Sequence, residues 1–144
     1  MNRPARTALT LAALVGLTGT LAACGGDVLA LEVGDCVNQS DLQDTEVSSV
    51  TTLECSEPHD AEIFGAVTHD DGDFPGEDEV KSEAQEGCIT RFEEFVGVPY
   101  VESEIYFSTL SPSEQSWNQA DDRTSLCIIL AEEKMTGSLE GANR

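Results

Sequence analysis

Cysteine is the residue type with which this chain could do the most covalent chemistry. Cys36, Cys55, Cys88 and Cys127 follow one another at spacings of 19, 33 and 39 residues. A zinc site built from four cysteines normally shows its ligands in close Cys-x2-Cys pairs, so this spacing argues against zinc, and we expect neither a metal nor a cofactor. Four cysteines in an exported chain instead predict two disulfide bonds.

Histidine and carboxylate side chains offer a second kind of chemistry, acid–base catalysis. His59 and Asp60 follow Pro58 in a turn-like sequence, and Glu62 comes two residues later. A histidine oriented by a carboxylate can be a general base or a metal ligand, but an aspartate adjacent in sequence cannot easily orient an imidazole across a site. We therefore predict that His59 belongs to a turn and has at most a weak binding role. His69 has no partners at metal-ligand spacing and is expected to be exposed to solvent.

The acidic stretch at 69–79 suggests calcium binding at first sight. An EF-hand loop that begins at Asp71 would need a ligand at its fifth position and a glutamate at its twelfth. Those positions are Pro75 and Ser82, so the pattern fails. We interpret the stretch as a solvated acidic loop ahead of a helix, because its last acidic residues suit the positive end of that helix.

Arg123 and Trp117 are the remaining candidates for binding. Arg123 follows Asp121 and Asp122 at the start of an apolar run. It could bind an anionic ligand, but we predict that it pairs with aspartate and backbone carbonyl groups where a long polar connection closes. Trp117, the only tryptophan, could anchor a partner and is predicted to cover the edge of the core.

The N-terminus has the pattern of a secretory signal peptide. Arg3 and Arg6 precede an apolar run at 8–17, and small residues follow it. The run is short and interrupted by glycine and threonine, whereas a transmembrane helix needs roughly 20 mainly apolar residues. We predict that residues 1–23 are a lipoprotein signal peptide that is removed on export.

The sequence Leu-Ala-Ala-Cys at 21–24 resembles a bacterial lipobox, in which the cysteine becomes the lipidated N-terminus. Cys24 would then carry acyl chains that hold the protein on the extracytoplasmic face of the cell membrane. Residues 24–31 would form a flexible tether, and 32–144 an extracytoplasmic domain. The alternative is an ordinary cleavage site at which Cys24 is incidental.

The charge of the chain is strongly acidic. It has seven basic and 28 acidic residues, and loss of Arg3 and Arg6 with the signal peptide leaves five basic residues and a formal charge of −23. Such a charge repels phosphate backbones and anionic lipid headgroups, so we expect no nucleic-acid partner and no electrostatic binding to membranes. A protein partner, if it binds electrostatically, should have a basic surface.

One helix and one strand have clear patterns. Val80, Ala84, Cys88 and Phe92 recur at helical spacing, and Gly97 is suited to end the helix. The stretch 61–67 follows the Pro58 turn and alternates as a half-buried strand does.

Further strands are predicted around this pair. The run at 124–131 is apolar on both faces and is typical of a central strand. Other strands are predicted at 33–37, 46–55 and 100–110; 38–45 and 111–122 are interpreted as polar connections, and the tail from Glu132 as an edge segment or loose end. The fold class is therefore α+β, a small mainly antiparallel sheet packed against one amphipathic helix and stabilised by two disulfides.

Four cysteines allow three disulfide pairings. We predict Cys88 with Cys127, because the helix directs Cys88 at the sheet and Cys127 lies in the most buried strand. Cys36 and Cys55 remain, on short strands that a polar loop lets return alongside each other.

Several short motifs together resemble the septum formation domain family of actinobacteria. They are GDC at 34–36, CSEPHDAEIF at 55–64, the helix around Cys88, PSEQSW at 112–117, DDR at 121–123, LC at 126–127 and TGSL at 136–139. The resemblance implies a secreted or membrane-anchored protein linked to division or the cell envelope, and it supplies no catalytic residue. Ala120 departs from the family motif, which favours glycine before Asp-Arg, so a tight turn there is in doubt.

Two classes of function follow. The first is a non-catalytic envelope lipoprotein that binds another protein or a wall component. The second is an envelope-acting enzyme that uses carboxylates near the Pro-His-Asp turn, such as Asp60 and Glu62. Acidic residues are so abundant here that a close pair is expected by chance, so we favour the first.

Overall fold

The computed structural model describes residues 30–42 and 50–144; Cys24 and the predicted signal peptide lie outside these residues. The strands are β1 (Cys36–Val37), β2 (His59–Thr68), β3 (Tyr106–Leu110) and β4 (Thr124–Met135). They form an antiparallel sheet in the order β1-β2-β4-β3. The helices are α1 (Glu77–Val96) and α2 (Glu114–Gln119), with short 3-10 turns at Gln39–Leu42 and Tyr100–Glu102. The predicted α+β class is confirmed.

Helix α1 forms where the apolar spacing predicts it. Its buried residues are Val80, Ala84, Cys88, Phe92 and Val96, which lie along one face. Gly97 ends the helix with φ 93°, a left-handed conformation that glycine adopts without strain. The predicted helix, its buried face and its C-terminal cap are therefore confirmed.

Helix α1 approaches β2 closely because two glycines stand at the contact. A Cβ atom at Gly87 would lie 2.5 Å from Cγ2 of Val67, and one at Gly65 would lie 2.8 Å from Cβ of Arg91. Both distances are shorter than real carbon atoms adopt, so a larger residue at either position would push the helix away from the strand.

The sheet is buried on both faces. The face against α1 carries one core, which includes Phe64, Phe92, Cys127 and Ile129. The opposite face carries a second core, built from Leu31, Val37, Val50, Ala61, Ile63, Leu126 and Ile128. Successive residues of β4 alternate between the two cores, which confirms the prediction of a central strand that is apolar on both faces.

Four predicted segments differ from the structure. The strand predicted at 33–37 is shorter, because 33–34 form a turn and β1 covers only Cys36–Val37. In the described part of 46–55 there are only isolated bridge residues, Val50 and Leu53, of which Leu53 pairs with Cys36. No continuous strand forms there, because Thr51 and Thr52 are both exposed and burial does not alternate along the run. The stretch 100–110 begins with a 3-10 turn, and its strand starts only at Tyr106. Strand β4 continues to Met135, and the tail after it is held in place, with Leu139 buried.

Both predicted disulfides are confirmed. The Cys36–Cys55 bond has a Cα–Cα distance of 5.3 Å and closes the loop between β1 and the turn before β2. The Cys88–Cys127 bond, at 5.5 Å, joins the middle of α1 to the middle of β4, and both of its residues are fully buried. Within 30–42 and 50–144, no helix has the length and apolar character to cross a membrane.

Candidate functional site

Trp117 is buried at one end of the sheet, where it contacts the acidic loop. Its side chain is 2% exposed, and its Nε1 donates a hydrogen bond to the carbonyl of Gly72 at 2.8 Å. The ring of Phe74 packs against it edge-on at 5.6 Å between centroids. Trp117 therefore holds the acidic loop at 69–76 against the domain, and its ring is not available as an open surface.

Trp117 is in place because a short helix forms inside the predicted polar connection at 111–122. Ser113 and Ser116 form a capping box at its start: each side chain accepts a hydrogen bond from the backbone N–H of the other. Such a box satisfies donors that a helix end leaves unpaired. The connection at 111–122 is polar as predicted, but it contains helix α2, which the sequence pattern does not predict.

Arg123 closes this segment. Its Nη1 donates to the carbonyls of Trp117 at 2.7 Å and Asp122 at 3.1 Å, and its Nη2 lies 3.2 Å from Oδ1 of Asp121. The guanidinium carbon lies 4.1 Å from the centre of the Trp117 ring, so Arg123 and Trp117 form a cation–π interaction. These are the contacts expected of a loop-closing arginine. The chain bends at Ala120, and Asp121 takes a left-handed conformation with φ 55°.

His69 is buried, so the prediction of an exposed histidine is wrong. Its Nδ1 lies 2.8 Å from Oε2 of Glu83 on α1, and its Nε2 lies 2.8 Å from Oγ of Ser125 on β4. The Ser125 hydroxyl in turn lies 2.9 Å from that of Ser111. We call these four residues the His69 network. Burial is tolerated because both ring nitrogens have partners.

The His69 network has the same order of groups, carboxylate, imidazole and hydroxyl, as a serine hydrolase triad. A nucleophile must reach its substrate, however, and Ser125 is fully buried within β4. Its hydroxyl is also bonded to a second serine. The arrangement is therefore suited to joining α1, β2 and β4 rather than to attacking a substrate.

His59 lies far from this end of the sheet. It begins β2, whereas His69 follows the last residue of that strand, so roughly 30 Å of extended chain separates them. The prediction that His59 belongs to a turn is wrong, because the turn covers 55–57 and His59 is already paired in β2. Its Nδ1 contacts the carbonyl of Glu57 at 2.8 Å, and its Nε2 is buried without a partner among the described residues. The structure therefore does not bring His59 together with Trp117 and Arg123, and their binding roles stay predictions.

Asp60 and Glu62, the candidate catalytic carboxylates, both have internal partners. Asp60 accepts a hydrogen bond from the backbone N–H of Gln39 at 2.7 Å and lies 3.3 Å from Nζ of Lys134. Glu62 is fully buried and accepts hydrogen bonds from the Leu139 N–H, at 2.8 Å, and from the Ser138 hydroxyl. Nothing in the sequence pattern distinguishes Glu62 from the many other acidic residues, so its anchoring of the tail was missed.

Replacement of Glu62 by glutamine should loosen the C-terminal tail and lower the free energy of unfolding by about 1–3 kcal/mol. A glutamine side chain has one acceptor oxygen where the carboxylate uses two, so a buried donor loses its partner. Hydrogen exchange of the Leu139 amide and urea unfolding would measure both effects. Glu140→Gln is the control, because Glu140 is exposed nearby. Unchanged protection of Leu139 in Glu62→Gln would contradict the assignment.

These features define a disulfide-bonded α+β domain with an acidic surface. Its candidate site side chains, Asp60, Glu62, His69 and Arg123, make internal contacts. The model of the Septum formation family matches residues 8–124, well over half of the 144-residue chain. The chain therefore belongs to the Septum formation family. The match ends at the first residue of β4, so the motifs at 126–127 and 136–139 lie beyond it. No curated protein and no solved structure matches the chain.

Proposed function

We propose that this protein is a cell-envelope lipoprotein whose extracytoplasmic domain takes part in septum formation by binding a protein or a wall component, without catalysis. Membership of the Septum formation family is the observation that carries the link to the septum. The internal partners of Asp60, Glu62 and the His69 network support binding over catalysis, because an enzyme needs such groups free to meet a substrate.

Lipid anchoring is supported by the Leu-Ala-Ala-Cys sequence at 21–24. Replacement of Cys24 by serine should remove the protein from the membrane fraction while leaving a folded domain, because serine cannot form the thioether. Fractionation of cells with a carbonate wash measures this, and Gly25→Ala is the control that keeps the cysteine. A serine variant that still sediments fully with membranes would rule out the anchor.

The proposed partner has a basic surface. With a mature formal charge of −23, long-range attraction favours basic patches and raises the association rate. Salt screens charges over roughly 8 Å at physiological ionic strength, so the on-rate for a partner captured from crosslinked cells should fall more with salt than the off-rate rises. An on-rate that does not change with salt would leave the acidity as a solubility property.

A further inference from the structure

Strand β3 is an edge of the sheet with an unused side. It pairs with β4 alone. Tyr106 lies opposite Leu130 at one end of this pairing, and Leu110 lies opposite Leu126 at the other. Within 30–42 and 50–144, no backbone or side-chain group outside the sheet hydrogen-bonds to the main chain of 106–110. The outward N–H and C=O groups of β3 are therefore open to another strand.

The usual protections of an edge strand are missing from β3. Proteins commonly block such an edge with charged residues, proline, a bulge or a very short strand. The sequence Tyr-Phe-Ser-Thr-Leu has no charge and no proline, although 24% of the chain is charged, and its pairing with β4 has no register shift. The opposite edge, β1, has only two residues and is protected by its shortness.

The side chains of β3 could support an added strand on both faces. Tyr106 is 67% exposed, and Phe107 is half-buried at the border of the core beneath α1. Adjacent strands bury side chains such as these through cross-strand pairs. Next to Tyr106 a groove of about 470 Å³ runs along the end of β4, and Glu104, Glu132, Glu133, Lys134 and Arg144 are its charged lining residues.

Charge decides between the possible occupants of this edge. A second copy of the mature chain would bring its own formal charge of −23 against an equal charge, and like charges oppose association. Three of the five charged groove residues are acidic, and Lys134 is already paired with Asp60 at 3.3 Å. A basic segment therefore fits better than a second copy does.

We propose that β3 is a strand-addition site for an extended segment of a protein partner, in which apolar or β-branched residues alternate and lysine or arginine residues flank them. Main-chain hydrogen bonds to β3 provide the affinity, and contacts with Tyr106, Phe107 and the three glutamates of the groove provide the preference. The inference rests on the proposed binding function and assigns it a surface and a class of ligand.

The test uses the mature chain with Cys24→Ser and a synthetic peptide in which valine and threonine alternate between terminal lysine pairs. Its binding should slow hydrogen exchange at alternate amides of β3 by about tenfold or more, and leave β1 unchanged. A peptide with the same centre and terminal glutamates should bind about tenfold more weakly. Absence of protection in β3, or protection elsewhere, overturns the inference.

Two matched variants test the charge and the edge separately. Ser108 is exposed on β3, so Ser108→Lys should weaken binding of the lysine peptide and Ser108→Glu should strengthen it, with no change in the fold. Equal affinities for the two variants would contradict the charge preference. Protection of β3 that rises with the concentration of the protein alone would assign the edge to a second copy and overturn the inference.

Failure of this inference can be told apart from failure of the proposed function. If a partner captured from crosslinked cells binds but leaves the β3 amides unprotected, the binding function stands and the site is wrong. If the lysine peptide protects β3 but the Cys24→Ser chain and the anchored chain capture no envelope protein, the strand-addition site stands and the proposed function fails.

Discussion

Replacement of Phe92 by alanine should lower the free energy of unfolding by about 3–5 kcal/mol, the range for a fully buried aromatic residue. Phe92 has no exposed surface and lies on α1 where the helix meets the sheet. Its ring packs edge-on against Phe64 at 5.7 Å and Tyr100 at 5.1 Å between centroids. Alanine removes these contacts and leaves a cavity that the two-sided packing of the sheet cannot close.

Urea unfolding followed by circular dichroism would measure this loss. Ile89→Ala is the matched control, because Ile89 lies on the same helix but is 41% exposed; its loss should stay near 1 kcal/mol. Equal losses for the two variants would contradict the assignment of Phe92 to the centre of the core.

Removal of the buried disulfide with the double variant Cys88→Ala/Cys127→Ala should lower the free energy of unfolding by about as much as Phe92→Ala does. The bond closes a loop of 39 residues, for which the chain-entropy relation gives about 4 kcal/mol. Both cysteines are replaced together, since a single replacement would leave a free thiol in the core. The same urea measurement gives the loss of stability.

The second disulfide provides the comparison. Cys36–Cys55 closes a loop of 19 residues, for which the same relation gives about 3 kcal/mol. The double variant Cys36→Ala/Cys55→Ala should therefore be the more stable of the two. A reversed order would show that native contacts around the bonds, rather than loop length, determine their contributions.

The parts of the fold that follow from local periodicity could be predicted from the sequence. Helix α1, its buried face and its cap at Gly97 are determined by residues three or four apart, and the apolar character of β4 marks it as central. The disulfide pairs followed once Cys88 and Cys127 were placed on those two elements. Their spacing alone would have left three pairings open.

Helix α2 could not be predicted from periodicity because six mainly polar residues form it. The capping pair of Ser113 and Ser116 was the one available signal, and serine is common in turns as well as at helix starts. The strand predicted at 46–55 is wrong because residue types alone suggested it. Valine and threonine favour strands, but a paired strand also needs burial that alternates along the chain, and Thr51 and Thr52 are both exposed after the buried Val50.

The candidate site was the least predictable part because it depends on contacts distant in sequence. His69 is buried through Glu83, 14 residues away, and Ser125, 56 residues away. Glu62 is satisfied by Leu139, 77 residues away. No pattern within a window of the sequence indicates such partners, so a buried histidine or glutamate could not be distinguished from an exposed one.

The strand order has a consequence for how the protein would stand on a bilayer. Leu31, the first core residue described, leads into β1, and seven residues after Cys24 can span at most about 25 Å. With Cys24 anchored as proposed, the β1 edge stays close to the lipid headgroups. Edge β3 is three strand spacings further on, about 14 Å. Because the reach of about 25 Å exceeds the width of the sheet, the lipid anchor would let the open β3 edge face the cell wall as well as the bilayer.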